Sequence, residues 1–250
     1  PLAVLFVAIV AAEIGKAVSK ETKIDILVTP LVTIFAGVGL SMLIAAPIGA
    51  AASQVGTLIM WATEQAPLVM GILVSVIVGV ALTLPISSAA ICAALGLTGL
   101  AGGAAVAGCC AQMVGFAVMS YKENGVGGLV SQGLGTSMLQ MGNIIKNPRI
   151  WIAPTLASAI TGPLATCLFH FEMNGAAVSS GMGTCGLVGQ IGVYTGWVND
   201  IAAGTKAAIT PMDWAAMLLI CFVLPAVLSV VFCEIERKLG WIKEGDLKLN

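Results

Sequence analysis

His170-Phe171-Glu172-Met173-Asn174-Gly175 gathers the residue types of polar chemistry inside sequence that otherwise lacks them. From Ile150 to Asn199, His170 and Glu172 are the only residues among Asp, Glu, Lys, Arg and His. An ionisable side chain at membrane depth costs roughly 2.5–3.5 kcal/mol, so such a group is usually kept for a function. A carboxylate there has two uses. It accepts hydroxyl hydrogen bonds from a polyol, charge-assisted and about twice as strong as neutral ones, or it carries a proton when desolvated. Both uses stay open for Glu172. His170 precedes it by two residues, so the pair shares a face on an extended limb but not on a helix. It either donates to a solute or holds Glu172. Asn174-Gly175 is a turn signal that lets the chain reverse, and Asn174 doubles as a candidate ligand.

A second polar group sits in Thr83-Leu-Pro-Ile-Ser87-Ser88. Its proline removes a backbone donor and frees a carbonyl. Thr83, Ser87 and Ser88 are candidates either to bind a solute or to re-satisfy the broken backbone. Gln112 and Gln190 are lone amides in apolar runs, open to the same choice between ligand and interhelical hydrogen bond. The seven cysteines include no Cys-x-x-Cys and no Cys/His cluster at zinc spacing. Adjacent Cys109 and Cys110 read as small-residue packing, so no metal or other cofactor is expected. Gly96 to Gly103 resembles small-residue helix packing. It is not a phosphate loop, because no Gly-Lys-Ser/Thr follows.

These groups need a scaffold, and composition defines it. Charged residues are 9% of the 250, against about 25% in soluble domains, and the mean hydropathy is +1.03. Between Glu64 and Lys122 lie 57 residues without Asp, Glu, Lys, Arg or His. A helical span needs about 20 apolar residues, so the fold class is an all-α integral membrane bundle. Continuous apolar runs exclude a β-barrel, whose strands alternate. Eleven basic residues spread along the loops exclude nucleic acid as a partner. About seven spans are predicted: 1–15, 27–48, 67–86, 88–103, 104–120, 150–168 and 213–234. They form one domain over 1–250, without linker or appended soluble domain. The chain begins at Pro1 inside an apolar run, and reads as lacking N-terminal sequence. Residues 49–66 form an amphipathic stretch, and 169–197 is too Gly-rich for a straight span. Glu13 and Lys16 are placed to pair, and Trp151, Trp197, Trp214 and Trp241 fall near span ends as interfacial anchors.

Basic residues test the topology. Lys16, Lys20 and Lys23, then Lys122, Lys146 and Arg149, then Arg237, Lys238, Lys243 and Lys248 leave only Lys206 apart. All ten share one face if four passages separate the first two groups and 169–197 enters and leaves by one side. That arrangement predicts a re-entrant hairpin around His170 and Glu172, with the ten-residue face and the C-terminus cytoplasmic.

Thr83-Leu-Pro-Ile-Ser-Ser-Ala-Ala-Ile91, Gly108-Cys-Cys-Ala-Gln-Met-Val-Gly-Phe-Ala-Val-Met-Ser120, Gln132-Gly-Leu-Gly-Thr-Ser-Met-Leu-Gln140 and Asn147-Pro-Arg-Ile-Trp-Ile-Ala-Pro-Thr-Leu-Ala-Ser158 resemble the membrane family named for the perfringolysin O regulator. That family is classed with the EIIC permease components of the sugar phosphotransferase system. The resemblance implies a bacterial cell membrane, a longer N-terminus and a homodimer. It further implies two re-entrant hairpins per protomer, as in EIIC proteins of the glucose superfamily, and a Glu that binds sugar hydroxyls. It carries that role onto Glu172, with His170, Asn174, Thr83, Ser87, Ser88 and Gln112 as further substrate-binding candidates. The chain holds no catalytic phosphocarrier residue of its own, since His170 lies in membrane sequence. Phosphotransfer would need separate EIIB and EIIA proteins. The rival readings are a secondary transporter using Glu172 as its proton site, and a regulatory membrane protein that binds a solute without moving it.

Overall fold

The computed structural model describes residues 2–21 and 24–249, so Pro1 and Lys23, used above, lie outside the described residues. The helices are α1 (Leu2–Val18), α2 (Asp25–Gln65), α3 (Pro67–Thr83), α4 (Ser88–Leu95), α5 (Gly99–Met119), α6 (Tyr121–Val130) and α7 (Met141–Lys146). After them come α8 (Pro148–Leu168), α9 (Val188–Ala202) and α10 (Pro211–Lys238). Among the described residues there is no strand, only an isolated bridge between Gly99 and Met173. Four helices are long and apolar enough to cross a membrane: α2, α5, α8 and α10. They contain four of the seven expected spans, and the shorter apolar α3 matches a fifth. The first expected span lies in α1.

Two boundaries differ from expectation. Expected 27–48 and the amphipathic 49–66 are one helix, because Ala-rich sequence after Pro47 sustains it through the proline. At 41 residues α2 is about 60 Å long, twice the roughly 30 Å hydrocarbon core. Expected span 88–103 is instead two pieces. Pro85 pushes Leu84 into extended backbone and ends α3. Ser87 caps α4, accepting from Ala90 N–H at 3.1 Å. Gly96, at φ 64°, closes α4 in the left-handed region that glycine tolerates. Gly99 then opens α5.

Helix α5 is the axis. Its apolar window is 89% buried, whereas that of α2 is 0% buried within the chain. Rich in Gly and Ala, α5 lets neighbouring backbones come close. A side chain on Gly108 would collide with the Ser75 carbonyl of α3, and one on Gly103 with the carbonyl of Phe171. Helices α3 and α5 run parallel, with Gly79 against Gly108 and Thr83 bonded to Gln112. The intervening residues 84–98 therefore carry the chain back through the bundle. Helix α8 runs the other way: Thr166 Oγ1 donates to Pro67 O at 2.7 Å, and Ser75 Oγ donates to Ser158 O.

These directions define two ends. At one stand Lys122, Lys146, Arg149, Arg237, Lys238, Lys243 and Lys248, with Trp151 and Trp241. At the other stand Glu172, Asp200 and Asp213, with Lys206, Trp197 and Trp214. The 21 residues of α5 separate the ends by about 30 Å. Helix α2 heads toward the acidic end, since Gly56 abuts the Leu95 carbonyl and Thr98 Oγ1 bonds Met60 Sδ at 3.6 Å. The α1–α2 turn, with Lys16 and Lys20, therefore points toward the basic side. Four passages separate Lys20 from Lys122, as the charge pattern requires, but the third is the broken 84–98 stretch. Glu13 and Lys16 pair at 3.7 Å.

Gly108→Leu is expected to destabilise the protein by about 3 kcal/mol, the cost of overpacking against backbone. Gly39→Ala on α2 has nothing within 4 Å of its new methyl and should leave stability unchanged or slightly higher. Thermal unfolding of both variants in detergent checks this contrast.

Candidate functional site

The chain leaves α8 at the acidic end and immediately reverses. Phe171 N–H donates to Ala165 O at 2.8 Å, and Met173 exchanges two 3.0 Å backbone bonds with Gly99. These bonds point Phe171 and Met173 into the core and leave His170 and Glu172 exposed on one face. The shared face is the expected one. Both side chains stand at the mouth of the hairpin, because Phe171 and Met173 take the buried positions. From Asn174 the chain climbs beside α5. Ser180 Oγ donates to Leu97 O at 2.7 Å, and Thr184 Oγ1 to Gly133 O at 2.5 Å. Helix α9 then descends to Asp200, so residues 169–202 enter and leave by the same end.

Asn174 organises the mouth. Its Nδ2 donates to Glu172 Oε2 at 3.0 Å and to Asp200 Oδ2 at 2.9 Å. Two carboxylates therefore share one amide, and Asn174, not His170, holds Glu172. The same residue also makes the turn: the adjacent Gly175 packs against the Gly192 carbonyl. The Asp200 carbonyl accepts from Thr205 N–H at 2.9 Å and Lys206 N–H at 3.2 Å. That tight turn aims Lys206 Nζ at Asp213 Oδ1, 2.8 Å away, and over the Trp197 ring at 5.8 Å. Asp213 is itself fixed by a capping box with Thr210 at the start of α10. Trp214 packs edge-on against Trp197, ring centroids 5.5 Å apart. The resulting cleft has a volume of about 470 Å³ and is lined by His170, Glu172, Asn174, Asp200, Lys206 and Asp213. Three carboxylates face one lysine there.

The other expected site residues lie elsewhere. Thr83 shares a 2.8 Å bond with Ser137 Oγ and donates to Gln112 Oε1 at 3.3 Å. Gln112 also accepts from Trp151 Nε1 at 2.9 Å and donates to Thr155 at 3.2 Å. Both are fully buried and occupied by protein partners. They lie about 20 Å from the mouth, thirteen α5 residues further along from Gly99 to Gln112. Ser88 Oγ donates to Gly181 O at 2.6 Å, stitching residues 84–98 to the hairpin. Ser87 and Ser88 border a second cleft, about 450 Å³, where Pro85, Thr136, Met182 and Cys185 bring the two hairpin tips together. The expected single site is thus divided between two clefts and a buried network. The reason is that α3 carries Thr83 to the far end of the bundle.

Trp197, Asp200, Lys206 and Asp213 line the cleft without having been expected as site residues. Their signal was present: the last three are the only charged residues between Glu172 and Glu234. Asn174→Asp removes both amide bonds and adds a third carboxylate, so it should lower the melting temperature more than Asn174→Ala does. Melting curves of the two variants at pH 7 read out the difference.

No curated protein and no solved structure matches the chain. Residues 1–249 match the family model described as phosphotransferase system, EIIC. The match covers nearly every residue of an all-helical, multi-pass membrane protein. The chain therefore belongs to the EIIC family, the permease component of the phosphotransferase system.

Proposed function

We propose that this permease component takes up a neutral polyol, a sugar, at the acidic-end cleft, and that the protein is of the perfringolysin O regulator type. The observation that carries the reading is the Glu172–Asn174–Asp200 arrangement at the mouth of a re-entrant hairpin. Each carboxylate uses one oxygen on Asn174 and keeps its other oxygen free for hydroxyl donors. Trp197 and Trp214 supply aromatic surface beside them. Three carboxylates against one lysine disfavour an anionic solute, so a sugar enters more readily than its phosphate ester returns. The exposure of Glu172 at the mouth supports a ligand role over a proton-carrying one.

The basic end is the cytoplasmic one in this reading, by the excess of Lys and Arg, with the C-terminus on that side. The acidic cleft then faces outward. A separate EIIB chain, charged by EIIA, docks at the basic end and phosphorylates the sugar delivered there. The exposed apolar α1–α2 pair forms the fixed scaffold of a homodimer in a bacterial cell membrane. The hairpin-bearing part moves against it. Ser87 and Ser88, at the tip cleft, are the polar groups a sugar meets on the inner side.

Inside-closed vesicles carrying the protein, supplied with EIIA, EIIB and phosphoenolpyruvate, should accumulate radiolabelled glucose or N-acetylglucosamine. Glu172→Gln should reduce that uptake by roughly 10- to 100-fold, the weight of one charge-assisted hydrogen bond network. Asp200→Asn should follow in the same direction. Wild-type uptake by Glu172→Gln would place the solute elsewhere. Uptake driven by a proton gradient without phosphoenolpyruvate would favour the secondary-transporter reading.

A further inference from the structure

At the basic end, the last ten described residues fold back and are held by side chains of residues 123–147. Asn124 Nδ2 donates to Leu247 O at 2.8 Å, and Asn124 Oδ1 accepts from Leu249 N–H at 2.7 Å. Glu123 Oε2 accepts from Leu247 N–H at 2.8 Å. Gln140 donates to Leu247 O at 3.0 Å, and Asn143 to Lys248 O at 2.9 Å. Asn147 donates to Trp241 O at 2.9 Å and to Asp246 Oδ2 at 2.8 Å. Leu247 is fully buried and Ile242 nearly so.

The same amides continue inward. Gln140 Nε2 donates to Gln132 Oε1 at 2.9 Å, and Gln132 donates to Ser120 Oγ at 2.8 Å. The neighbouring Gly133 carbonyl takes the hydroxyl of Thr184 at the tip of the second hairpin. Ser137 bonds Thr83 below the tip of the first, and Thr136 lines the cleft between them. Tail, amide chain and both hairpin tips therefore form one connected polar structure.

On α10, just before the tail, lies Glu236, 4% exposed, with neither carboxylate oxygen hydrogen-bonded. It follows Cys233 by three residues on the buried face of α10, and Cys233 packs in the cluster that Ile242 and Leu247 complete. Trp241 N–H closes on the Glu236 carbonyl at 2.9 Å. The charged groups around it are engaged otherwise. Lys122 pairs with Glu234 at 2.7 Å and Arg237 with Glu123 at 2.9 Å. Arg149 stacks on Trp241 at 5.6 Å, and Asp246 is bonded to Asn147 and Lys243 N–H. Lys146, Lys238, Lys243, Glu244 and Lys248 make no bond to the Glu236 carboxylate.

We propose that residues 240–249 are a latch on the cleft between the hairpin tips, and that Glu236 just before them is its protonation-sensitive catch. A neutral Glu236 fits its apolar cover. An ionised one has no partner, and a buried unpaired charge is strongly unfavourable. It reaches water when the packing that the tail completes around this part of α10 opens. The latch is closed while Glu236 is protonated and opens as pH rises through its titration. This device holds whichever solute is carried, and its readout is a thiol rather than transport.

Cys185 lines the tip cleft and is partly exposed, while Cys167 is the exposed cysteine elsewhere. In the full-length Cys167→Ser protein in nanodiscs, maleimide labelling of Cys185 reports opening of the cleft. Asn143→Ala and Asn147→Ala, which unhook the tail at two separate points, should speed labelling about tenfold at pH 6. Dividing the wild-type rate by that of Glu236→Gln cancels the thiol's own titration. That ratio should rise with pH. Unchanged labelling in both asparagine variants would overturn the latch, and a flat ratio would overturn the catch.

Discussion

The structure depends on how closely other backbones approach α5. A helix rich in Gly, Ala and Cys leaves its backbone open to close approach along much of its length. It gains instead by letting α3, α8, α10 and the hairpin pack at short range, where dispersion and interhelical hydrogen bonds act in place of the hydrophobic effect that lipid cannot supply between helices. Ser158 Oγ reaching toward Gly108 O at 3.4 Å, and Cys109 Sγ toward Val78 O at 3.8 Å, are products of that approach. Large side chains on this helix would separate the layers and remove the contacts that place both hairpins.

Close packing also makes the irregular segments tolerable. Non-helical backbone at membrane depth must find hydrogen-bond partners within the protein. Residues 84–98 and 174–187 supply them to each other and to their surroundings: Ser88 to Gly181 O, Ser180 to Leu97 O, Thr184 to Gly133 O, and Gly189 N–H to Gly183 O at 2.9 Å. The small hydroxyl residues flanking the glycines are what make two broken elements one wall. Each of those bonds is also one that a moving hairpin would exchange, which links the stability of the wall to the proposed transport.

The two ends differ in chemistry as well as in charge. The acidic end presents carboxylates arranged by one amide and backed by tryptophan. The basic end presents lysines and arginines around a tail held by buried amides. In the proposed reading, a sugar meets the first and a phosphocarrier the second. The family assignment makes the chain a permease component, and the separation of the ends by α5 gives that component a physical direction.

Composition and apolar run length were enough to determine a helical membrane protein, because a bilayer admits few other structures. The signals that end α3 and bound α4 are local ones, since Pro85, Ser87 and Gly96 act on their own neighbours, but the expected spans 67–86 and 88–103 ran through them. The basic-residue pattern required four passages and a hairpin open to one side, since charge responds to the membrane rather than to packing. Packing decided the rest. That α2 runs on through Pro47, that the third passage is a broken 84–98 rather than a straight 88–103, and that Thr83 and Gln112 face each other far from Glu172 all follow from which helices touch. The sequence marked His170 and Glu172 by their isolation. Only the tertiary structure placed them at a mouth, with Asp200, Lys206 and Asp213 from 28 to 41 residues beyond Glu172. Distances of that kind are set by a chain turning back on itself, and no local pattern encodes where it returns.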